Sequence, residues 1–440
     1  MKRSLRNEDM ISHLPEPLLL HILSSLPTKD VVATSVLSKQ WRSLWKIVPK
    51  LDFDSDDFQS EDETFSEIVC KLLLSNKAPV LESLRLIFMM DKCDAMDIGM
   101  WIGIAYAHGV RKLVINVGSE KGHFKFPKSL YNCETLETLK LSAWVLIDVP
   151  SRVCLNSLRT LHLNSVNYED DASVLNLLSG CPYLENLEVS RDEPDVESFT
   201  IAVPSLQRLT IYDDNDGEES GGYVINAPSL KYLKIQGLFG GVEFCLIENA
   251  PEFVEANIGY DSKINNENIL GSLTSVKRLS LALSPLEITF PTDSIFYRLV
   301  CLELSTHKAG WWNLLLLMLS SSPKLQVLKL IDSQRYLSKH WRENNHAACG
   351  KWSQPKNVPE CLLLTLETFV WEGYKHCLEE ETEVAKYILR NANRLKRATF
   401  SAIPYEDSSS EEMVQELESV VKEELESVVR ASTSCQLLFA

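Results

Sequence analysis

The 440-residue sequence contains no Cys-x-x-Cys pair, no Asn-x-Ser or Asn-x-Thr acceptor, and no apolar run longer than the short one from Trp311 to Leu319. The first absence, with eleven cysteines irregularly spaced and odd in number, argues against a disulfide framework and points to a reducing compartment. The second is in keeping with a chain that does not pass through the secretory pathway. The third leaves nothing long enough to cross a bilayer, and the start, Met1-Lys2-Arg3-Ser4-Leu5-Arg6, lacks the apolar core of a signal peptide. A soluble protein of the nucleus or cytoplasm, with no membrane partner, is therefore expected.

Positive charge is also in short supply, with 44 Lys and Arg against 61 Asp and Glu and a net charge of -17. A groove tracking phosphates would have to overcome that field, so nucleic acid is not expected as a partner. Gly-x-Ser-x-Gly, the phosphate-binding loop and His-Glu-x-x-His are all missing. The acidic run from Asp213 to Glu219 fails as a calcium loop: with Gly217 sixth, the first and twelfth ligands fall on Tyr212 and Tyr223. His340, His346, Cys349, Cys361, His376 and Cys377 lack the spacing of a structural zinc site. No His or basic environment singles out Cys70 as a nucleophile, and the expectation is a non-catalytic protein without a cofactor.

What is present begins with three short helical pieces between Leu14 and Pro49. Pro15 and Pro17 suit a first helical turn, and Leu18, Leu19, Ile22, Leu23 and Leu26 recur at helical spacing before Pro27. Thr28 is a candidate cap for a second helix with Asp30 in its first turn, followed by Val31, Val32 and Val36. Ser38 is a candidate cap for a third, carrying Trp41, Leu44, Trp45 and Val48. So small a unit offers more apolar surface than it can enclose, and something else must cover the surplus, either the rest of this chain or a partner.

From Asp9 to Lys46 this stretch resembles the F-box of the large plant family that joins an F-box to leucine-rich repeats. The resemblance is carried by Leu14-Pro15, Ile22-Leu23, Leu26-Pro27-Thr28-Lys29-Asp30, Ser35-Val36-Leu37-Ser38, Trp41-Arg42 and Leu44-Trp45; Pro17 and Gln40 depart from it. It implies a substrate-recognition subunit of a Skp–cullin–F-box ubiquitin ligase, which binds a Skp-like adaptor and, through it, a cullin and a RING subunit. The adaptor-binding residues it implies are Leu14, Pro15, Leu18, Ile22, Leu23, Leu26, Pro27, Val36, Trp41 and Trp45. A repeat scaffold without ligase function and a small-molecule-sensing receptor are the alternatives.

Beyond an acidic stretch, Asp52 to Glu63, read as a solvated linker, the template Leu-x-x-Leu-x-Leu returns from Leu81, Val110, Leu136, Leu158, Leu184, Leu206, Leu230, Phe253, Val276, Leu299 and Leu325, and more weakly from Leu366 and Leu395. Such a period leaves room for one strand, one turn and one return, stacked into a parallel sheet. The segments 171–179 and 311–320 read as helical returns. The Asn of the regular motif is absent, with Val166 standing at its position in the repeat from Leu158, so the solenoid should be irregular. Side chains between the inward leucines should line its concave face: Arg85, Val114, Lys140, His162, Glu188, Thr210, Lys234, Asn257, Ser280, Glu303 and Lys329. Within that column Arg85, Lys140, His162, Glu188, Lys234, Asn257, Glu303 and Lys329 are the candidate contacts to a protein target.

From Trp352 the chain resembles the FBD region of many plant F-box proteins, through Trp352, Pro355, Val358-Pro359, Cys361-Leu362, Leu366, Phe369, Trp371, Tyr374, Tyr387-Ile388-Leu389, Leu395-Lys396 and Ser434-Cys435-Gln436-Leu437. A strand, a helix and a second strand fit it, acting as a cap on the last repeat. The predicted organisation is an α/β chain: F-box 9–50, linker and entry to the solenoid 51–80, leucine-rich-repeat solenoid 81–350, FBD region 351–400 and tail 401–440. The tail duplicates Glu416-Leu-Glu-Ser-Val-Val-Lys-Glu423 as Glu424-Leu-Glu-Ser-Val-Val-Arg430, and one extended helix is predicted there.

Overall fold

Alternating burial follows the Leu-x-Leu pairs wherever the template recurs, and in the computed structural model each template match begins two residues before a strand. The structure describes residue 11 and residues 14–58, 63–119, 122–192, 195–213, 222–237, 245–260, 269–283, 294–307, 310–332, 352–374, 379–401 and 422–439. These fall into two units, Met1–Leu206 and Gln207–Ala440.

The first unit opens with α1 (Glu16–Leu23), α2 (Thr28–Ala33), which runs into a 3-10 turn at Thr34–Val36, and α3 (Trp41–Leu44), continued as a 3-10 turn at Trp45–Ile47. Leu19, Leu23, Val31, Trp41, Leu44 and Val48 form their common core, with Leu14, Leu20, Trp45 and Ile47 packed against it. Burying each such side chain contributes about 1.5–3 kcal/mol, enough to hold three short helices that would not persist alone. Thr28 is not the cap of α2. Pro27 holds that position, and the buried Thr28 hydroxyl instead accepts from the Asp52 N–H at 2.7 Å, tying the helices to the following strand. Ser38 Oγ accepts from the Trp41 N–H at 3.5 Å, a long and weak cap.

The reading of Asp52 to Glu63 as a linker is corrected at its start, because β1 (Lys50–Asp54) is already a strand. Leu51 and Phe53 are buried, and Asp52 and Asp54 point the other way. Next come α4 (Phe65–Ser75), β2 (Ser83–Met89), α5 (Ala95–Ala107), β3 (Lys112–Gly118), β4 (Phe124–Lys125), β5 (Thr138–Ala143), β6 (Val145–Ile147), β7 (Thr160–Asn164), β8 (Asn167–Tyr168), α6 (Asp171–Ser179), β9 (Asn186–Arg191) and β10 (Ser198–Ala202). Strands β1-β2-β3-β5-β7-β9 pair in parallel in that order, and β4-β6-β8 form a small second sheet. Thr64 and Glu67 make a capping box on α4, and Trp101 of α5 donates its indole N–H to Cys70 Sγ at 3.1 Å. Helix α6 has the predicted span and ends at Gly180, where a side chain would strike Val153.

The second unit comprises β11 (Arg208–Asp213), β12 (Gly222–Asn226), β13 (Tyr232–Gly237), β14 (Cys245–Asn249), β15 (Glu255–Tyr260), α7 (Ile269–Ser272), β16 (Arg278–Ala282), β17 (Cys301–Ser305), α8 (Trp311–Ser321), β18 (Val327–Ile331), α9 (Glu360–Leu364), β19 (Thr368–Glu372), α10 (Glu379–Asn391), β20 (Arg397–Ser401) and β21 (Gln436–Phe439). Strands β11, β13 and β15 to β21 form one parallel series, and β12 pairs with β14. The strand, helix and strand expected of the FBD region are β19, α10 and β20, and they close the unit by continuing its sheet to the terminal strand β21. Their core is aromatic: Trp371 is wholly buried, with ring centroids 5.6 Å from Trp311, 6.0 Å from Phe369 and 5.1 Å from Tyr374.

The apolar run 311–319 is α8, whose Trp311, Trp312, Leu314, Leu315, Met318 and Leu319 are buried. Among the described residues no helix is long and apolar enough to cross a membrane. In the tail, the first copy of the duplication lies outside the described residues except for Lys422 and Glu423. The second corrects the extended-helix expectation, because its helix ends at Glu426 and Leu425 and Val428 turn inward.

Candidate functional site

Two surfaces collect the residues expected to meet partners. The first is on the N-terminal helices. Leu18, Ile22 and Leu26 fall on one side of α1 and its continuation, at helical spacing, and are 51%, 44% and 39% exposed. Val36 is 82% exposed, and Pro15 and Pro27 are also exposed. Leu14 and Trp45 are half-buried, while Leu23 and Trp41 belong wholly to the core of the helices rather than to an outer face. The physical reason is local: a short helix with apolar residues at consecutive positions presents them both inward and outward, and Leu19 and Leu23 take the inner side. Leu37, next to Val36, is 65% exposed and joins the outer set that sequence reasoning did not single out. Leu37 directly follows the 3-10 turn Thr34–Val36, which is too brief to bury successive residues on one side.

The second surface is the sheet face opposite the core. In the first unit, Asp52, Arg85, Val114, Lys140, His162 and Glu188 are register partners from strand to strand. Asn116, Ser142, Asn164 and Ser190 form a parallel uncharged row two residues further along. In the second unit the corresponding column is Thr210, Lys234, Asn257, Ser280, Glu303 and Lys329, extended by Val370 and Thr399. All eleven residues expected to share a column thus lie at equivalent register positions within their units.

Neighbours in these columns bond to one another. Arg85 Nη1 reaches both Asp52 carboxylate oxygens, at 2.9 and 3.0 Å. Ser280 Oγ donates to Glu303 at 3.0 Å, and Lys329 Nζ lies 3.8 Å from the same carboxylate. Lys234 donates to the Tyr212 hydroxyl at 3.1 Å with its ammonium 5.0 Å from that ring's centroid. Arg208 lies over the Tyr232 ring at 4.4 Å. Exposed pairs of this kind contribute only about 0–1 kcal/mol, so they orient groups more than they stabilise the sheet.

His162 is the titratable member. Burial holds its pKa below the ordinary 6.5; Lys140 and Lys112 push the same way, and Glu188, 3.4 Å from Nδ1, opposes them. At neutral pH the imidazole is uncharged and its contact with Glu188 is a hydrogen bond rather than an ion pair. A pKa lowered by folding means the unfolded chain binds the proton more tightly. His162 therefore contributes stability in full above pH 6.5, and that contribution is lost as pH falls below 6.5 through the lowered folded value. Denaturant unfolding at a series of pH values should show a smaller acid-side slope for His162→Gln than for the unmutated chain; identical slopes would refute the assignment.

Among the described residues no three His, Cys, Asp or Glu side chains gather as a metal-binding group. Cys361 is buried with Sγ 3.2 Å from the Leu319 carbonyl, whereas His340, His346, Cys349, His376 and Cys377 lie outside the described residues. Asp213 of the former calcium candidate is buried and accepts from the Tyr223 hydroxyl at 2.7 Å. Burial pushes the thiols of Cys93, Cys181, Cys245 and Cys361 up to about 12, which keeps them protonated at neutral pH.

Comparison with known proteins agrees along the chain. The F-box domain family matches residues 11–53, the LRR repeats of FBD-associated F-box protein At5g56370 match 98–253, and the FBD family matches 354–400. F-box/FBD/LRR-repeat protein At3g52680 of Arabidopsis thaliana is 58% identical over 442 residues, covering 99% of this chain and 94% of that protein. F-box/FBD/LRR-repeat protein At4g00160 of the same plant is 56% identical over 443 residues, with 99% and 95% covered. F-box/LRR-repeat protein At3g26922, also from Arabidopsis thaliana, is 69% identical over 300 residues, 67% of this chain and 98% of its own. With three domain families in order and such identity over almost the entire length, this chain belongs to the plant F-box/FBD/LRR-repeat protein family.

Proposed function

We propose that this protein is the target-holding subunit of a Skp–cullin–F-box ubiquitin ligase. An F-box implies binding of a Skp-like adaptor, and the observation that carries the reading here is the outer face of the N-terminal helices. Leu18, Ile22, Leu26, Val36 and Leu37 remain exposed although the helices have a complete core of their own. Exposed leucine, isoleucine and valine side chains concentrated on so few residues suit a partner that buries them. The adaptor would bring the cullin and RING subunit, and the protein's own part in ubiquitin transfer is proximity: holding a target near the conjugating enzyme raises its local concentration there.

The target side of the reading rests on the open sheet faces, whose columns mix basic, acidic and neutral side chains within each unit and so favour a protein surface over a polyanion. Replacing Lys140, Lys234 and Lys329 together with Glu should change which proteins are captured while leaving the fold intact, because exposed substitutions typically change stability by within about 0.5 kcal/mol each. Proximity labelling by the variant and the unmutated chain reads this, and identical partner sets would count against these faces. Purification of the tagged, unmutated chain tests the ligase reading as a whole: adaptor and cullin should accompany it. Their absence, with target proteins still captured, would favour a repeat scaffold without ligase function.

A further inference from the structure

At the C-terminal ends of β5, β7 and β9 the first unit carries an open cavity of about 210 Å³, lined by His123, Ala143, Trp144, Ser165, Asn167 and Asp192 among others. None of these residues belongs to the columns described above. Ala143 (φ 65°) and Ser165 (φ 53°) are the only non-glycine residues with positive φ among the described residues, and both line this cavity. Side-chain-bearing residues avoid that conformation, and it persists where surrounding contacts over-determine it. Here the contacts are on both sides. The Trp144 N–H donates to the Val117 carbonyl at 3.3 Å, its carbonyl accepts from the Phe124 N–H at 2.8 Å, and the Ser165 N–H donates to the Ser190 carbonyl at 2.9 Å. The backbone thus presents the Trp144 indole from a locked position.

That indole is 43% exposed, whereas Trp101 and Trp371 are wholly buried. Its ring lies 5.2 Å from the His123 ring at an angle of 45°, so the two form an aromatic wall. Opposite chemistry is supplied by Asp192, which makes no ion pair among the described residues, and by the amide of Asn167 and hydroxyl of Ser165. Among the described residues no Lys or Arg lines the cavity. An aromatic face beside a carboxylate and further hydrogen-bond acceptors complements a positively charged planar group. The volume is below the roughly 300–1,000 Å³ of small-molecule pockets, which fits one inserted side chain. A net charge of -17 favours approach of a basic segment.

We propose that this cavity receives an arginine side chain of the bound target, its guanidinium stacked on Trp144 and hydrogen-bonded to Asp192. Arginine suits the site better than lysine because its flat cation can lie on the indole and bond the carboxylate at once. The proposal names a feature of the target and rests on the reading of the repeats as a target-holding domain. Its test needs no adaptor, so failure of this site and failure of the ligase reading are seen separately.

The full chain is titrated with Nα-acetyl-arginine methylamide by calorimetry, which reads affinity in every variant, and in the unmutated chain the Trp144 indole N–H signal, which Trp144→Phe identifies, locates the binding; the uncharged isostere Nα-acetyl-citrulline methylamide is the comparison. The arginine probe should bind at least about tenfold more tightly than the citrulline probe. Asp192→Asn and Trp144→Ala should each weaken it about tenfold, while Asp57→Asn, at an exposed carboxylate elsewhere in the unit, leaves it unchanged. Equal affinity for the two probes, no binding to the unmutated chain, or equal losses in Asp192→Asn and Asp57→Asn would overturn the assignment. Should Trp144→Ala not fold, Asp192→Asn decides alone.

Discussion

Replacing Leu18 and Ile22 with alanine is expected to lower affinity for a Skp-type adaptor about 30- to 1000-fold while leaving thermal unfolding of the chain unchanged. The two side chains are half exposed and lie one helical turn apart on α1. Truncating anchors buried in an interface costs about 2–4 kcal/mol, which gives that range of affinity. Leu23→Ala supplies the contrast, because Leu23 is 1% exposed and belongs to the helical core. That change should destabilise the helices by about 2–5 kcal/mol. Any loss of adaptor binding would then track unfolding rather than a missing contact. Calorimetry with the adaptor and a thermal melt, run on both variants, separate the two effects. Full adaptor affinity in a folded Leu18/Ile22 double variant would remove this face from the interface.

Trp371→Ala is expected to destabilise the second unit by about 3–5 kcal/mol, the usual cost of emptying a large aromatic site in a core. The FBD residues are core residues here: Leu366, Phe369 and Trp371 have no exposed surface, and the Phe400 ring lies 5.5 Å from those of Phe369 and Tyr374. Trp371→Phe should cost much less, since a smaller ring retains edge-to-face contact with Trp311 and Tyr374. Because each repeat leans chiefly on its neighbours, adaptor affinity at the N-terminal helices should not change in either variant. Denaturant unfolding measures the first effect. A loss under about 1 kcal/mol for Trp371→Ala would mean that the FBD strands do not depend on this cluster.

The repeats were legible because their signal is physical and redundant. Leu or a close substitute must fill two inward positions of each repeat's strand, and that demand recurs down the chain, so the template located β2, β3, β5, β7, β9, β11, β13 and β15 to β20, while the short strands of the smaller sheets carry no match. The strand β1 escaped because Asp52 and Asp54 flank Phe53. Acidic residues read as solvated linker until the alternation of Leu51 and Phe53 is weighed against them, and the Asp52 charge is answered by Arg85, distant in sequence. In the tail, two near-identical segments suggested one continuous helix, yet Leu425 and Val428 are drawn into the second unit and the helix stops at Glu426. Tertiary burial overrode a local preference there.

The sequence by itself determined the order of the parts, the strands that carry the repeated template and their inward leucines, and the row of residues that shares the open face in each unit. Those properties follow from period and alternation, which any chain with this pattern must satisfy to bury its apolar side chains. Only the tertiary structure decided which apolar residues of the N-terminal helices turn inward, since Leu18 and Leu19 are equally apolar and differ only in the side of α1 they occupy. It likewise decided that Trp144, His123 and Asp192 meet around one cavity. They follow β3, β5 and β9, three different repeats, and no local rule of spacing brings such residues together; stacking of the repeats does.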